Sequence, residues 1–267
     1  MGKYAKDYLP TEAMVVAGAR ELRDGDRLFA GAGLPLLSTI LAMRLGKELT
    51  VGIEAGTVGS TFPEDEIHKK NPLPRFVADP RFLAGATYVC SLLDVNGIFS
   101  PRRKFDVGFI GGAQVDKYGN VNSTIIGDWK SPKVWLPGSG GACDMAMYCS
   151  RILIILAHSK RTFVEKVDFI TSPGYIDGPG GRERNGLKWG GPIATISDLG
   201  IMRFDEDTKE MYVEYTFPGV TVEKIKENTG WDIKVSPTVE EYEPPTEEEI
   251  QIIRDMDRDG LYTRRRG

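Results

Sequence analysis

Leu49-Thr50-Val51-Gly52-Ile53-Glu54-Ala55-Gly56 is the stretch on which the reading of this chain turns. Thr50, Val51 and Ile53 read as a short buried strand, and Ala55-Gly56 lets the backbone turn sharply at its end. One carboxylate, Glu54, is thereby delivered to the carboxyl end of the strand. Ligands of open α/β sheets collect outside the carboxyl ends of strands, so a carboxylate there is placed for chemistry. The plainer alternative is a solvated or ion-paired glutamate, because most carboxylates are exposed.

On the amino-terminal side, Leu28-Phe29-Ala30 reads as a strand running into Gly31-Ala32-Gly33 and then a helix with Leu36, Ile40 and Met43 on one face. A dinucleotide fingerprint needs glycine at position 36, where Leu36 stands, so a nicotinamide site is discounted. Gly31 and Gly33 still allow backbone amides to approach an anion or a ligand carbonyl. Earlier, Thr11 caps a helix through about Arg23 whose apolar face is Val15, Ala19 and Leu22.

On the carboxyl side, 57–80 is polar and broken by prolines and reads as loop, and 84–96 is ambiguous. Asp106 to Ile110 is a buried strand ending in Gly111-Gly112-Ala113-Gln114, and residues 115–122 carry a sharp reversal in which Asn120 and Asn122 are turn residues. Gly138-Ser139-Gly140-Gly141-Ala142 precedes a helix beginning near Cys143. Consecutive glycines expose the N–H groups an oxyanion hole needs, and they equally suit a tight turn at positive φ. Arg151 to Ala157 is the strongest strand, apolar on both faces as in the centre of a parallel or mixed sheet.

Val167 to Ile170 and Ile193 to Ile196 are further strands; between them 171–191 is rich in Gly and Pro and is either a functional loop or an interface element. Ile201 to Phe204 and Met211 to Tyr215 form a hairpin about Asp205-Glu206-Asp207-Thr208, and Thr221 to Asn228 is a helix. After Pro244-Pro245, Thr246 and Glu249 make a capping box for a last helix through Arg254.

Whole-chain properties narrow the function. With 267 residues, 41% hydrophobic and 27% charged, the chain can build a full soluble core. The expected division is one α/β domain over 1–245 and a C-terminal helix and tail over 246–267. A net charge of -4 gives no electrostatic reason for nucleic-acid binding. The Arg264-Arg265-Arg266 cluster reads as a solvated end. No run approaches the roughly 18 apolar residues of a membrane span, and Met1-Gly2-Lys3-Tyr4 lacks a signal-peptide core, so a cytoplasmic location is expected.

Three cysteines, Cys90, Cys143 and Cys149, are odd in number and lack metal spacing, which favours reduced thiols. Two histidines, His68 and His158, support neither a metal site nor a serine triad, and His158 reads as structural. Asp255 to Gly260 imitates an EF-hand start, but the twelfth position is Arg266 and calcium is excluded; no metal site is expected. What remains is one strand-end carboxylate and glycine turns, a set that permits acyl transfer with a carboxylate nucleophile.

Ile53-Glu54-Ala55-Gly56, Phe109 to Asp116 with Tyr118-Gly119-Asn120-Val121-Asn122, Gly138 to Ala142, and Thr171 to Arg184 together resemble the beta subunits of glutaconate CoA-transferase, in the class I CoA-transferase family. The resemblance runs in order from about residue 10 to 255. It implies an α/β, open, mostly parallel sheet with flanking helices, the CoA-transferase fold. It also implies that Glu54 is the nucleophile on an acyl-CoA, passing through an anhydride to a glutamyl-CoA thioester. The glycine segment maps half of an oxyanion hole onto Gly141, with Gly140 beside it.

Gly31, Gly33 and Gly112 are the candidate contacts to coenzyme A, which is a substrate; no tightly bound cofactor is implied. The partner implied is a companion alpha subunit of similar fold, and the other substrates are an acyl-CoA and a (di)carboxylic acid. Relatives of this fold include a decarboxylase with cysteine at the glutamate position and ring-opening hydrolases without that glutamate. Arg161 to Asp168 and Phe217 to Val220 resemble the hydrolase branch, so acyl-CoA hydrolysis is the alternative, with a non-catalytic partner subunit the third. Arg182 and Arg184 suit a substrate carboxylate or the CoA phosphates, or a subunit interface.

Overall fold

A computed structural model of the chain describes residues 3–63 and 73–264; His68, Met1-Gly2 and Arg265-Arg266 lie outside the described residues. Two compact units divide it, 1–107 with 244–267 and 108–243.

The first unit begins with α1 (Pro10–Glu21), β1 (Arg27–Phe29), α2 (Leu34–Arg44) and β2 (Thr50–Ile53). β1 and β2 are parallel, with Phe29 opposite Gly52, and Val51 and Ile53 are fully buried. Val15, Ala19, Leu22, Leu36 and Ile40 are buried as the spacing marks, but both helices are buried all round, over 12–19 in α1 and 36–42 in α2, and Met43 is only part-buried, so neither helix shows the single apolar face expected. The cap of α1 is different from the one expected. Pro10 opens the helix, the Glu12 carboxylate accepts from the Leu9 amide (2.6 Å), and the Thr11 hydroxyl instead donates to the Thr263 carbonyl (2.5 Å). Proline at the first helical position has no amide to satisfy, so the capping site shifts by two residues.

The stretch after Glu54 is more ordered than a loop. β3 (Thr57–Val58) turns back antiparallel on β2, and β4 (Tyr88–Val89) pairs antiparallel with β3. A single helical turn, Leu92–Asp94, follows, with Ser91 and Asp94 capping each other. The C-terminal helix, Glu247–Met256, has the expected Thr246 and Glu249 capping box. It buries Ile250 and Ile253 within this unit, where Glu249 also receives Arg20 (2.8 and 3.0 Å) and Arg254 reaches Glu12 (2.9 Å).

The unit boundary falls in β5 (Val107–Ile110), which is buried along its whole length. In the second unit β6 (Gln114–Val115) and β7 (Val121–Asn122) form the reversal read from the sequence. A second hairpin, β8 (Ile125–Asp128) and β9 (Ser131–Trp135), leads into α3 (Ala142–Tyr148) and the buried β10 (Arg151–Ile155). Strands β11 (Pro192–Ile196), β12 (Gly200–Phe204), β13 (Met211–Thr216) and β14 (Lys234–Glu241) lie side by side beyond β10. The pairs β10–β11 and β13–β14 are parallel; β11–β12 and β12–β13 are antiparallel.

The α/β class expected from the sequence is the one observed. Val167 to Ile170 is not a strand. There Asp168 exchanges bonds with Gln114 (both 3.0 Å) and accepts from the Gly127 amide (2.8 Å), while Phe169 stacks on Trp129. Side-chain bonds replace a ladder. Among the described residues no helix is long and apolar enough to cross a membrane, and all three cysteines are free thiols.

Candidate active site

Glu54 is the first residue of a three-residue hairpin loop, Glu54-Ala55-Gly56, because Ile53 pairs with Thr57 across it. The loop closes through the Gly56 amide on the Ile53 carbonyl (3.0 Å), with Gly56 at φ +114°. That conformation is open to glycine and strained for any other residue. A Cβ at Gly56 would also collide with the Cys90 carbonyl, and the Cys90 amide donates to the Gly56 carbonyl (2.8 Å). The glutamate is half-buried and stands on a short turn closed by hydrogen bonds at Gly56.

The parallel register brings a second element beside it. Ala30 donates to the Gly52 carbonyl (3.1 Å), so Gly31-Ala32-Gly33 leaves β1 at the same end at which Glu54 leaves β2. Gly33, at φ +99°, caps α2 and accepts from the Leu37 amide (3.2 Å). A Cβ at Gly31 meets nothing within 4 Å, so that glycine leaves room at its face. Glu54, Gly31 and Gly33 therefore share one strand end.

Gly112, Gly140 and Gly141 belong to the second unit. Gly112 packs on β7: a Cβ there would collide with Val121 and stand 2.8 Å from the Asn122 carbonyl. Immediately after β7, Ser123 grips the second glycine segment, its hydroxyl donating to the Gly138 carbonyl (2.8 Å) while the Gly138 amide donates to the Ser123 carbonyl (2.8 Å). Gly138 and Gly140 have positive φ (97° and 48°), as the tight-turn reading of the glycine run requires. Gly140 is exposed and Gly141 buried as the cap of α3. Inside α3's first turn burial pushes the Cys143 thiol up, with Asp144 adding to it, which keeps the thiol protonated.

Several sequence candidates have structural employment. Asn120 donates to both Asp116 oxygens and the Ile176 carbonyl and accepts from the Gly174 and Ile176 amides. Asn122 bonds Gln114 (2.7 Å) and the Ile125 carbonyl (2.6 Å). His158 lies flat against Phe163 and bonds the hydroxyls of Ser197 and Thr229; burial lowers its pKa to about 3, so it stays neutral. Asp257, in the EF-hand imitation, is consumed by the amides of Leu261, Tyr262 and Thr263.

Arg182 is 3% exposed and its guanidinium donates only to backbone carbonyls, whereas Arg184 is exposed and pairs with Asp177 (2.7 Å). The supporting roles of Ser123 and Arg182 are not legible in the sequence, since their partners lie 15 and 36 residues away.

A strand-end carboxylate beside one glycine turn, and a second glycine segment clamped ahead of a helix, are parts suited to acyl-group chemistry. The chain belongs to the coenzyme A transferase family, whose sequence profile matches residues 11–228. It is 39% identical over 251 residues to one subunit of the 3-oxoadipate CoA-transferase of Pseudomonas knackmussii, covering 94% of each chain. It is also 39% identical over 256 residues to one subunit of the glutaconate CoA-transferase of Acidaminococcus fermentans, covering 93% of this chain and 92% of that one. The crystal structure of the Acidaminococcus fermentans enzyme superposes with a TM-score of 0.89 at 37% identity, over 98% of this chain and 99% of the other. The fold is accordingly that of a CoA-transferase, and each of the two relatives is one subunit of its enzyme.

Proposed function

We propose that this chain is the glutamate-bearing subunit of a two-subunit CoA-transferase that moves CoA from an acyl-CoA to a short dicarboxylic acid by way of Glu54. The observation that carries the reading is the hairpin that holds Glu54, half-buried, at the strand end shared with Gly31 and Gly33. The family membership and relatives named for glutaconate and 3-oxoadipate support the reaction and the acid class.

In the proposed sequence a Glu54 oxygen attacks the thioester carbonyl and the C–S bond breaks, giving an acyl-glutamyl anhydride and CoA thiolate. The thiolate attacks the glutamyl carbonyl, releasing the first carboxylate and leaving a glutamyl-CoA thioester. The acceptor carboxylate attacks that thioester, expelling thiolate and forming a second anhydride. Thiolate then attacks its acyl carbonyl, giving the new acyl-CoA and free Glu54. Thioester is exchanged for thioester, so no external energy source is required. The amides of Gly140 and Gly141 are the donors for the oxyanions in these steps. Gly31, Gly33 and Gly112 are the glycine turns offered to coenzyme A, which enters as substrate and not as a resident cofactor.

Anhydride chemistry requires that water be excluded. β4, hydrogen-bonded to the Glu54 hairpin, exposes Tyr88 and Val89, and the helical turn after it exposes Leu92 and Leu93, all at 51–76%. An apolar surface of this kind suits cover by a companion alpha subunit, and that cover would shelter Glu54.

The test is co-purification with the companion chain, followed by exchange assays with a donor acyl-CoA and a panel of dicarboxylic acids. Glu54→Ala is expected to lose at least about 10³-fold in kcat. Wild-type enzyme incubated with acyl-CoA should carry CoA on the Glu54 peptide by mass spectrometry. Retained exchange in the variant overturns the reading, as does release of free CoA in the absence of an acceptor at the exchange rate.

A further inference from the structure

Arg182 is an unusual core residue. All five of its N–H donors go to carbonyls: Nε and one Nη2 hydrogen to Trp189 (3.2 and 2.6 Å), Nη1 to Pro173 (3.1 Å) and Gly174 (2.9 Å), and the other Nη2 hydrogen to Ala146 (3.0 Å). With its fork saturated it has nothing left for a substrate carboxylate or a phosphate. Burial lowers its pKa, so the site carries a desolvation cost that only a full set of acceptors offsets. Lysine, with three donors, could not make this set.

Four of these bonds lie within 173–189 and gather that glycine- and proline-rich segment around the guanidinium. The fifth leaves it. Ala146 is in the last turn of α3, where helix carbonyls lack intrahelical partners, so Arg182 closes the carboxyl end of the helix. α3 has seven residues, about 10 Å at the usual rise. A rigid rod that short transmits the position of its last turn to Gly141 at its first.

The same segment grips the front of the glycine run. Thr171 Oγ1 accepts from the Ser123 amide (2.9 Å) and bonds Thr124 Oγ1 (2.7 Å), and the Thr171 amide donates to the Val121 carbonyl (2.9 Å). Ser123, held in this way, makes the paired bonds to Gly138.

We propose that residues 171–191 form the scaffold that fixes the Gly138–Gly141 segment and with it the Gly140 and Gly141 amides, through Thr171 and Ser123 in front and Arg182 behind, so that these three are positioning residues for attack on the thioester. The inference rests on the preceding functional reading. Preorganised donors are worth most when their position is fixed before charge develops, and a misplacement of about 1 Å costs on the order of 10²-fold.

The experiment uses the assembled two-subunit enzyme with Ser123→Ala, Thr171→Val, Thr171→Ser and Arg182→Lys. Ser123→Ala, Thr171→Val and Arg182→Lys should lower kcat roughly 10- to 100-fold with the KM for acyl-CoA within about twofold, and slow CoA labelling of Glu54 by the same factor. Thr171→Ser keeps the oxygen and should restore the wild-type rate. If Arg182→Lys fails to fold, the other variants decide. Wild-type kcat per folded enzyme in both Ser123→Ala and Thr171→Val overturns the positioning role, as does an equal loss in Thr171→Val and Thr171→Ser. Absence of any CoA on Glu54 in the wild type instead overturns the preceding reading, and the kcat comparison still judges this one.

Discussion

Gly56 supports Glu54 through its backbone alone. At φ +114°, against the Cys90 carbonyl, it leaves no room for a side chain unless its neighbours shift. Gly56→Ala is expected to cost roughly 1–3 kcal/mol from backbone strain alone, with a further loss from the collision. Thermal unfolding would show both losses together, and on the proposed reaction CoA labelling of Glu54 would slow as well. His158 gives a separate prediction. Its folded pKa of about 3 lies below the ordinary 6.5, so the unfolded chain binds the proton first. Above pH 6.5 the residue costs nothing, and stability declines between 6.5 and about 3, at up to about 1.4 kcal/mol per pH unit. Denaturant titrations of wild type and His158→Gln over that window should show a shallower decline in the variant.

Among the helices and strands, capping decides more than propensity. Thr246→Ala removes the hydroxyl that accepts from the Glu249 amide (3.2 Å) and is expected to cost about 1 kcal/mol, a fall in Tm of roughly 2–4 °C by calorimetry. That helix was legible because its box is contained in four consecutive residues. β3 was not, because it is two residues long and gains order only from β2 and β4 on either side. β14 escaped for a different reason. It carries Pro237 and several charges and is mostly exposed, so it has no apolar alternation to read. Thr11 misled because a good capping residue next to a proline lost the position to the proline's geometry.

In the molecule as a whole, the C-terminal helix belongs to the first unit, although its partners stand far away in sequence. Arg254 reaches Glu12 across 242 positions, Arg20 reaches Glu249 across 229, and Thr11 reaches Thr263 across 252. Deleting residues 244–267 would bare the apolar residues that Ile250 and Ile253 cover and strip Glu12, 2% exposed, of its Arg254 partner. The shortened chain is expected to be insoluble, or cut by protease first within residues 3–63. A soluble, protease-resistant product would show that the helix is only an appendage.

Short windows of the chain were enough to specify the strand that ends at Glu54, the glycine runs, the central apolar strand and the α/β class. Each depends on residues a few positions apart whose burial pattern and backbone freedom are local properties. Folding in three dimensions was needed to set Gly31 and Gly33 at Glu54's end of the sheet, to turn Arg182 toward carbonyls and not substrate, and to make the last helix complete the first unit. Those outcomes depend on register, on desolvation and on contacts between distant residues, and none of these is a function of a short window of sequence.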